Sequence, residues 1–189
     1  LILTIISAFC LAFLYLVQKY YWPPITSIPN AEIAKTAVIS TGLGDITVKL
    51  DGRSRFAIAQ FTRLCREGFY DGIRFHRVVP DLLIEAGDPL TRFPQLKHLW
   101  GQGGLGTSFS NQTYKTDVFT PGTIAFTGSK AGTFGSHFFI STQKTNWLNQ
   151  KHTILGHVVS GMEVVRQIES ASASATGLPF SDIIIRSIS

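Results

Sequence analysis

Apolar residues fill the head of the chain and then thin into short, periodic runs. Residues Leu1 to Val17 (LILTIISAFCLAFLYLV) form a nearly unbroken apolar stretch with no polar face. At ~1.5 Å per residue this stretch spans about 25 Å as a helix, slightly short of a ~30 Å hydrocarbon layer. Gln18, Lys19, Tyr20, Tyr21 and Trp22 follow, aromatic and snorkelling side chains suited to a membrane interface. Pro23 and Pro24 then stop the helix. The pattern predicts an N-terminal apolar helix over 1–22, favoured here as a transmembrane or signal-anchor segment. Two other readings stand beside it. A signal-peptide core lacks a small-x-small cleavage site, and a buried core helix needs a polar face. The chain begins without Met, so flanking residues that set orientation are expected before Leu1. Residues 23–36 (PPITSIPNAEIAKT) are rich in Pro, Ser, Thr and Asn and read as a linker. The expected location is a single-pass membrane protein with its globular domain on one aqueous side.

From residue 37 the periodicity changes. Ala37–Thr41 and Ile46–Leu50 are strand-like runs around Gly42-Leu43-Gly44-Asp45, a hairpin signal. Ser54–Glu67 reads as a helix, with Ala57, Phe61, Leu64 and Cys65 on one face and Gly68 as its stop. Strands are expected at Gly72–Val79, Leu82–Ala86, Thr123–Phe126, His137–Ser141, Thr153–Val159 and Asp182–Ile188. Gly161–Ser170 reads as a second helix, with Met162, Val165 and Ile168 on one side. Residues 89–122 show no periodicity. Many short strands and two separated helices predict a mainly β fold, a closed barrel with helical plugs, over 37–189.

Composition narrows the function classes. Hydrophobic residues make up 44% of the 189 and aromatics 12%, which supports a core and excludes disorder. Only 15% are charged, and residues 1–18 carry none. The net charge is +5, but the 17 basic residues are scattered without a run of three. No basic stripe forms, so nucleic acid is not an expected partner. Cys10 and Cys65 lie in different segments and are not expected to pair.

Most familiar chemical motifs are absent. Gly101-Gln102-Gly103-Gly104-Leu105-Gly106 matches a dinucleotide fingerprint in form only. It follows a weak strand, precedes a poor helix start, and has no acidic residue about 20 positions on. A conformationally permissive loop is the better reading. None of the five histidines has metal-ligand spacing, so no metal is expected. No nucleophile elbow occurs. Asn111-Gln112-Thr113 is a glycosylation sequon, relevant only in a secretory compartment.

Three segments carry the information. Phe75-His76-Arg77-Val78-Val79-Pro80 sets a cation inside an apolar, β-prone run. Alone, such an Arg reads as an edge-strand residue facing water. Gly135-Ser136-His137-Phe138-Phe139-Ile140-Ser141 and Trp147-Leu148-Asn149-Gln150-Lys151-His152-Thr153-Ile154-Leu155-Gly156 follow. In this order, F-H-R-V-V-P, G-S-x-F-F-I and W-L-x-x-K-H-T-x-x-G resemble the cyclophilin-type peptidyl-prolyl cis–trans isomerases. Gly68-Phe69-Tyr70-Asp71-Gly72, Gly87-Asp88-Pro89 and Gly161-Met162-Glu163-Val164-Val165 add to the likeness, which covers residues 37–188.

The resemblance implies an eight-stranded antiparallel β-barrel capped by two α-helices, and an isomerase acting on X-Pro bonds without a cofactor. It implies Arg77 as the catalytic cation and Phe139 as the floor of a proline pocket, with Leu83, Leu148 and His152 as walls. Leu82 stands where the family usually has Phe, and Trp147 at the rim. The Thr127-Gly128 backbone would pair with the residues preceding the proline. His76 lies beside the substrate, and Ser136 and His137 in the supporting shell. Proline-containing polypeptides are the implied partners, with cyclosporin-like ligands as candidate occupants. The sequence also departs from the pattern. Asp81-Leu82-Leu83-Ile84-Glu85-Ala86-Gly87 replaces the usual G-F-M-I-Q-G-G, and Phe126-Thr127-Gly128-Ser129 replaces M-A-N/R-A. Glu85 thus puts a carboxylate where a neutral Gln normally positions the catalytic Arg. An alternative reading follows, in which the domain is a weakly active or inactive proline-peptide-binding module, a subunit of a membrane complex.

Overall fold

A computed structural model describes residues 33–106, 108–128 and 133–189. The expected apolar helix and most of the linker lie outside the described residues. Among the described residues, no helix is long and apolar enough to cross a membrane.

The chain opens with the expected hairpin, β1 (Thr36–Thr41) and β2 (Gly44–Lys49), paired from Thr36↔Lys49 to Thr41↔Gly44. Ile33 and Ala34, just ahead of β1, already pack against the core. Helix α1 (Arg55–Arg66) follows, its first turn capped by Ser54 Oγ, which accepts from the Ala57 amide at 3.0 Å. Ala57, Phe61 and Leu64 are fully buried, as the helical spacing predicts. Cys65, on the same face, is partly buried, and its thiol is free.

Strands β3 (Arg77–Val79), β4 (Leu83–Ala86), β6 (Thr123–Phe126), β8 (Phe138–Ser141), β9 (Thr153–Ser160) and β10 (Ile185–Ile188) complete the main sheet. Its order is β10-β1-β2-β9-β6-β8-β4-β3, and every pairing is antiparallel. A small second sheet pairs β5 (Phe109–Ser110) with β7 (Thr133–Phe134). Helix α2 (Met162–Glu169) buries Val164, Val165 and Ile168. It starts at Gly161, whose φ of +88° and contact with β2 leave no room for a side chain. A Cβ there would stand 2.3 Å from the Asp45 carbonyl oxygen.

Among the described residues, the eight strands of the main sheet curl into a half-barrel with two α-helices. The expected closed barrel is corrected in one respect, because edge strands β3 and β10 share no ladder. Residues 72–76, expected as strand, run irregularly after Gly72, whose φ is +75°. They meet the lead-in to β10 through one bridge, Arg74↔Ile184, and through bonds such as Phe75 N to Ile183 O at 2.9 Å. The aperiodic stretch 89–122 contains two 3-10 segments, Pro89–Arg92 and Pro94–Leu99.

The inner face of the sheet holds the core. Phe61 of α1 packs edge-on against Phe126 and Phe138, at ring distances of 5.9 and 5.8 Å. Alternation along β4, β6 and β8 sends Ile84, Ala86, Ile124, Phe126, Phe138 and Ile140 into this core. Their neighbours Leu83, Ala125 and Phe139 belong to a separate apolar cluster, with Phe119, Leu148 and Ile154.

Candidate active site

The ladder registers place three of the predicted residues, Arg77, Glu85 and Phe139, in one row, which Ala125 and Ile154 continue across five strands. Arg77 on β3 is opposite Glu85 on β4, Glu85 opposite Phe139 on β8, Phe139 opposite Ala125 on β6, and Ala125 opposite Ile154 on β9. Arg77 and Phe139 are two strand spacings apart, about 10 Å between backbones. A cation therefore stands at one end of an apolar patch.

Phe139 is 2% exposed and lies at the centre of that patch. Phe119 stacks on it at 5.7 Å and 16°, and the His152 ring meets it edge-on at 5.1 Å. Leu83 and Leu148 are buried in the same cluster, with Leu82 and Val79 half-buried against it. Burial pushes the His152 ring below the usual imidazole range despite the nearby Glu85 carboxylate, so it is neutral at pH 7. Trp147, at the 3-10 turn Asn146–Leu148, is 58% exposed, and Lys151 Nζ sits 5.8 Å over its ring. The Thr127 amide donates to the His137 carbonyl at 2.9 Å. An incoming peptide strand would therefore have to use the Thr127 carbonyl and the Gly128 backbone.

The Arg77 end is electrostatically dense. Arg77 Nη1 donates to Glu85 Oε2 at 3.2 Å, with the Arg side chain 46% exposed and the Glu 12%. Glu85 Oε1 turns to two histidines, His76 Nε2 at 3.7 Å and His137 Nδ1 at 3.6 Å. Burial alone would raise the Glu85 carboxyl, but the two imidazoles outweigh it and hold the group well below the usual carboxylate range. Burial lowers the His137 ring, whereas Glu85, Asp88 and the Gly103 carbonyl raise it, and the net shift is upward. His76, Arg77 and Glu85 also line an open cavity of about 460 Å³ beside Lys97, His98 and Trp100.

The supporting shell is built from backbone contacts. Ser136 Oγ donates to the Gly87 carbonyl at 2.8 Å, and Tyr70 Oη donates to the Ser136 carbonyl at 3.1 Å. Asp88 organises the glycine-rich loop, accepting from Leu90 N at 2.7 Å, from Gly103 N at 3.1 Å and from Gly101 N. A Cβ at Gly103 would stand 2.0 Å from Asp88 Oδ1, so the loop needs glycine for close approach to a carboxylate. That contact accounts for Gly103, and positive φ values of +90° and +71° account for Gly101 and Gly106. At the opposite side, Glu169 of α2 accepts from Asp81 N at 2.9 Å, from Thr142 Oγ1 and from Arg166 Nη1. It fixes the turn that carries Leu82 and Leu83.

Sequence reasoning missed Phe119 and Ile154. Phe119 sits in the aperiodic stretch and is held by Asn149 Oδ1, which accepts its amide at 3.0 Å. No local pattern marks it.

The model of the family described as cyclophilin type peptidyl-prolyl cis-trans isomerase/CLD matches residues 36–189. The chain belongs to the cyclophilin family. It is similar to the peptidyl-prolyl cis-trans isomerase CYP71 of Arabidopsis thaliana, 34% identical over 165 residues, covering 86% of this chain and 25% of that protein. It is also similar to the isomerase ppi1 of Schizosaccharomyces pombe, 32% identical, covering 78% of this chain and 93% of that one. This cyclophilin-family chain spans about a quarter of the length of the larger curated relatives it matches. Among solved structures, a Cryptosporidium parvum cyclophilin type isomerase in the presence of the dipeptide Ala-Pro superposes with a TM-score of 0.72. It is 26% identical, and the match covers 81% of this chain and 96% of that one.

Proposed function

We propose that the domain isomerises X-Pro peptide bonds of unfolded or partly folded polypeptides. The observation that carries this reading is the register row from Arg77 to Phe139. An X-Pro bond prefers trans by only about 0.5–1 kcal/mol, yet rotation must cross ~20 kcal/mol of amide resonance. Rotation breaks no bond, so the catalyst has only to favour the twisted amide over either planar form. With the proline ring on Phe139, among Leu83, Leu148, Phe119 and the neutral His152, the twisted bond would lie toward Arg77. There its nitrogen, freed from resonance, accepts a hydrogen bond from the guanidinium. The surrounding apolar surface strengthens that bond by excluding water. Family membership supports the same chemistry, as does the Ala-Pro dipeptide studied with the Cryptosporidium parvum relative.

The apolar residues 1–22 make this a membrane-tethered isomerase, with residues 23–36 as spacer and clients drawn from chains near the membrane surface. Cyclosporin-like ligands would compete for the Phe139 patch. Isomerisation of a proline peptide is measured for the full chain and for Arg77→Ala. Catalysis above background is expected, falling about 100-fold in the variant, the usual effect of removing one transition-state donor. A folded wild type with no acceleration overturns the proposal. Retention in the membrane fraction after alkaline extraction tests the tether.

One observation favours a second reading. Glu85 holds Arg77 by a charged contact, so the same surface could bind proline peptides with little turnover, as a subunit of a membrane complex. Stable co-purification with one partner, unaffected by Arg77→Ala, would favour it.

A further inference from the structure

His76, Glu85 and His137 are far apart in the chain, yet their donor atoms all lie within 4.8 Å of one another. The 3.7 and 3.6 Å gaps to Glu85 Oε1 are too long for hydrogen bonds. They are close to another spacing. Two donors on a tetrahedral ion at ~2.1 Å stand about 3.4 Å apart. Movements of a few tenths of an ångström would bring both spacings to that value, and the two imidazole donors, within 4.8 Å of each other, would close by at most about 1.4 Å.

The ring orientations favour an ion as well. His137 Nε2 lies 2.9 Å from the Gly103 carbonyl, which can only accept. Nε2 therefore carries a proton, and it is Nδ1 that faces the Glu85 carboxylate. A nitrogen in that position needs either a second proton or a metal ion between it and the carboxylate, so the ring presents the correct atom to an ion. The Gly103 carbonyl also supplies the outer-shell acceptor that orients a metal-bound histidine. His76 is 7% exposed, and its Nδ1 has no hydrogen-bond partner. Its Nε2 edge faces Gly101, where a Cβ would stand 3.7 Å away. Glycine there keeps the approach from the 460 Å³ cavity clear, since His76, Glu85 and Gly101 all line it.

We propose that His76 Nε2, Glu85 Oε1 and His137 Nδ1 form a binding site for a divalent transition-metal ion of the zinc class, with its fourth position open to the cavity. Two imidazoles and one carboxylate are a donor set such ions take, whereas magnesium and calcium prefer oxygen alone. Glu85 Oε2 remains with Arg77, so the ion would sit one carboxylate away from the guanidinium and weaken its hold. Metal binding shares Glu85 with the isomerase site, but its existence does not depend on isomerisation, and it is read independently of that activity.

Cobalt(II) is titrated into the full metal-free chain and followed by its visible d–d absorption, then displaced with zinc. One ion per chain is expected, with a tetrahedral-type spectrum and a dissociation constant at or below about 10 µM. His76→Gln, Glu85→Gln and His137→Gln should each weaken binding at least tenfold while keeping a cooperative thermal transition. His157→Ala, which removes the surface pair His157–Asp51 at 2.9 Å, should leave binding unchanged. Absence of binding at 100 µM cobalt, binding that survives all three Gln variants, or binding lost with His157→Ala overturns the proposal.

Discussion

Replacing Glu85 by Gln should make the domain a faster isomerase. The carboxylate accepts from Arg77 Nη1 at 3.2 Å, and every donor committed to it is withheld from the twisted amide. At 3.2 Å two unit charges attract by about 5 kcal/mol at an effective dielectric of ~20, and by about 1.3 kcal/mol in water. Arg77 is 46% exposed, which moves the pair toward the watery limit, where measured exposed pairs contribute about 0.2–1 kcal/mol. A competing hold of about 1 kcal/mol follows. Releasing it corresponds to about a fivefold rise in kcat/KM. Gln keeps the volume and an amide oxygen that can still orient the guanidinium. The gain should lie in kcat, because the freed donors act in the transition state. The assay is proline-peptide isomerisation in the presence of a chelator, with thermal melting of both proteins alongside. An unchanged or lower kcat/KM in a fully folded Glu85→Gln protein would refute the reasoning and make the carboxylate a positioning group.

Phe119→Leu should raise KM several-fold with little change in kcat, because it removes the ring stacked on Phe139 at 5.7 Å; an equal fall in kcat and kcat/KM would contradict this placement. Glu169→Gln should cost about 1.5–3 kcal/mol at pH 7, since its contacts with Asp81 N, Thr142 and Arg166 are made to a charge. Burial raises this carboxyl, but the bonds from Thr142, Arg166 and Asp81 outweigh it and hold it below the usual range. Its contribution is therefore complete above the unfolded carboxylate pKa of about 4.3 and is lost as pH falls through the folded value. Urea melts should show wild type and Glu169→Gln converging in stability from pH 7 to pH 3, and a constant gap would refute the assignment. Gly156→Ala should destabilise by about 3 kcal/mol or more, because a Cβ there would meet the Lys49 carbonyl oxygen at 1.9 Å; a melting temperature within a degree or two of wild type would show that β2 and β9 can part at low cost.

The helices and most strands were legible because their periodicities are local. Ala57, Phe61 and Leu64 announce α1 by spacing alone, and the sheet residues alternate across β4 and β8. The stretch 89–122 was not legible, because its shape depends on Asp88 collecting amides from Leu90, Gly101 and Gly103. A carboxylate gathering distant backbone leaves no period in the sequence. The candidate site divides in the same way. Arg77, Phe139, Leu148 and His152 sit in recognisable motifs, whereas Phe119 depends on an Asn149 side chain thirty positions away. The meeting of His76, Glu85 and His137 was invisible too. It depends on the ladder that sets β4 beside β8, and histidine spacing along the chain pointed away from it.

Phe138 and Phe139 are adjacent in sequence but serve opposite sides of one strand. The first answers to folding, the second to whatever docks outside. Substrate preference can therefore be retuned by varying Leu83, Ala125, Phe139 and Ile154 as a set, leaving the core composition untouched. The same arrangement makes the site intolerant of a frame shift in space. Inserting a single residue into β4 or β8 would exchange the two sides, turning the client-facing surface inward and the core outward. Point substitutions are the accessible route to a new specificity here, and length changes within these strands are closed to it.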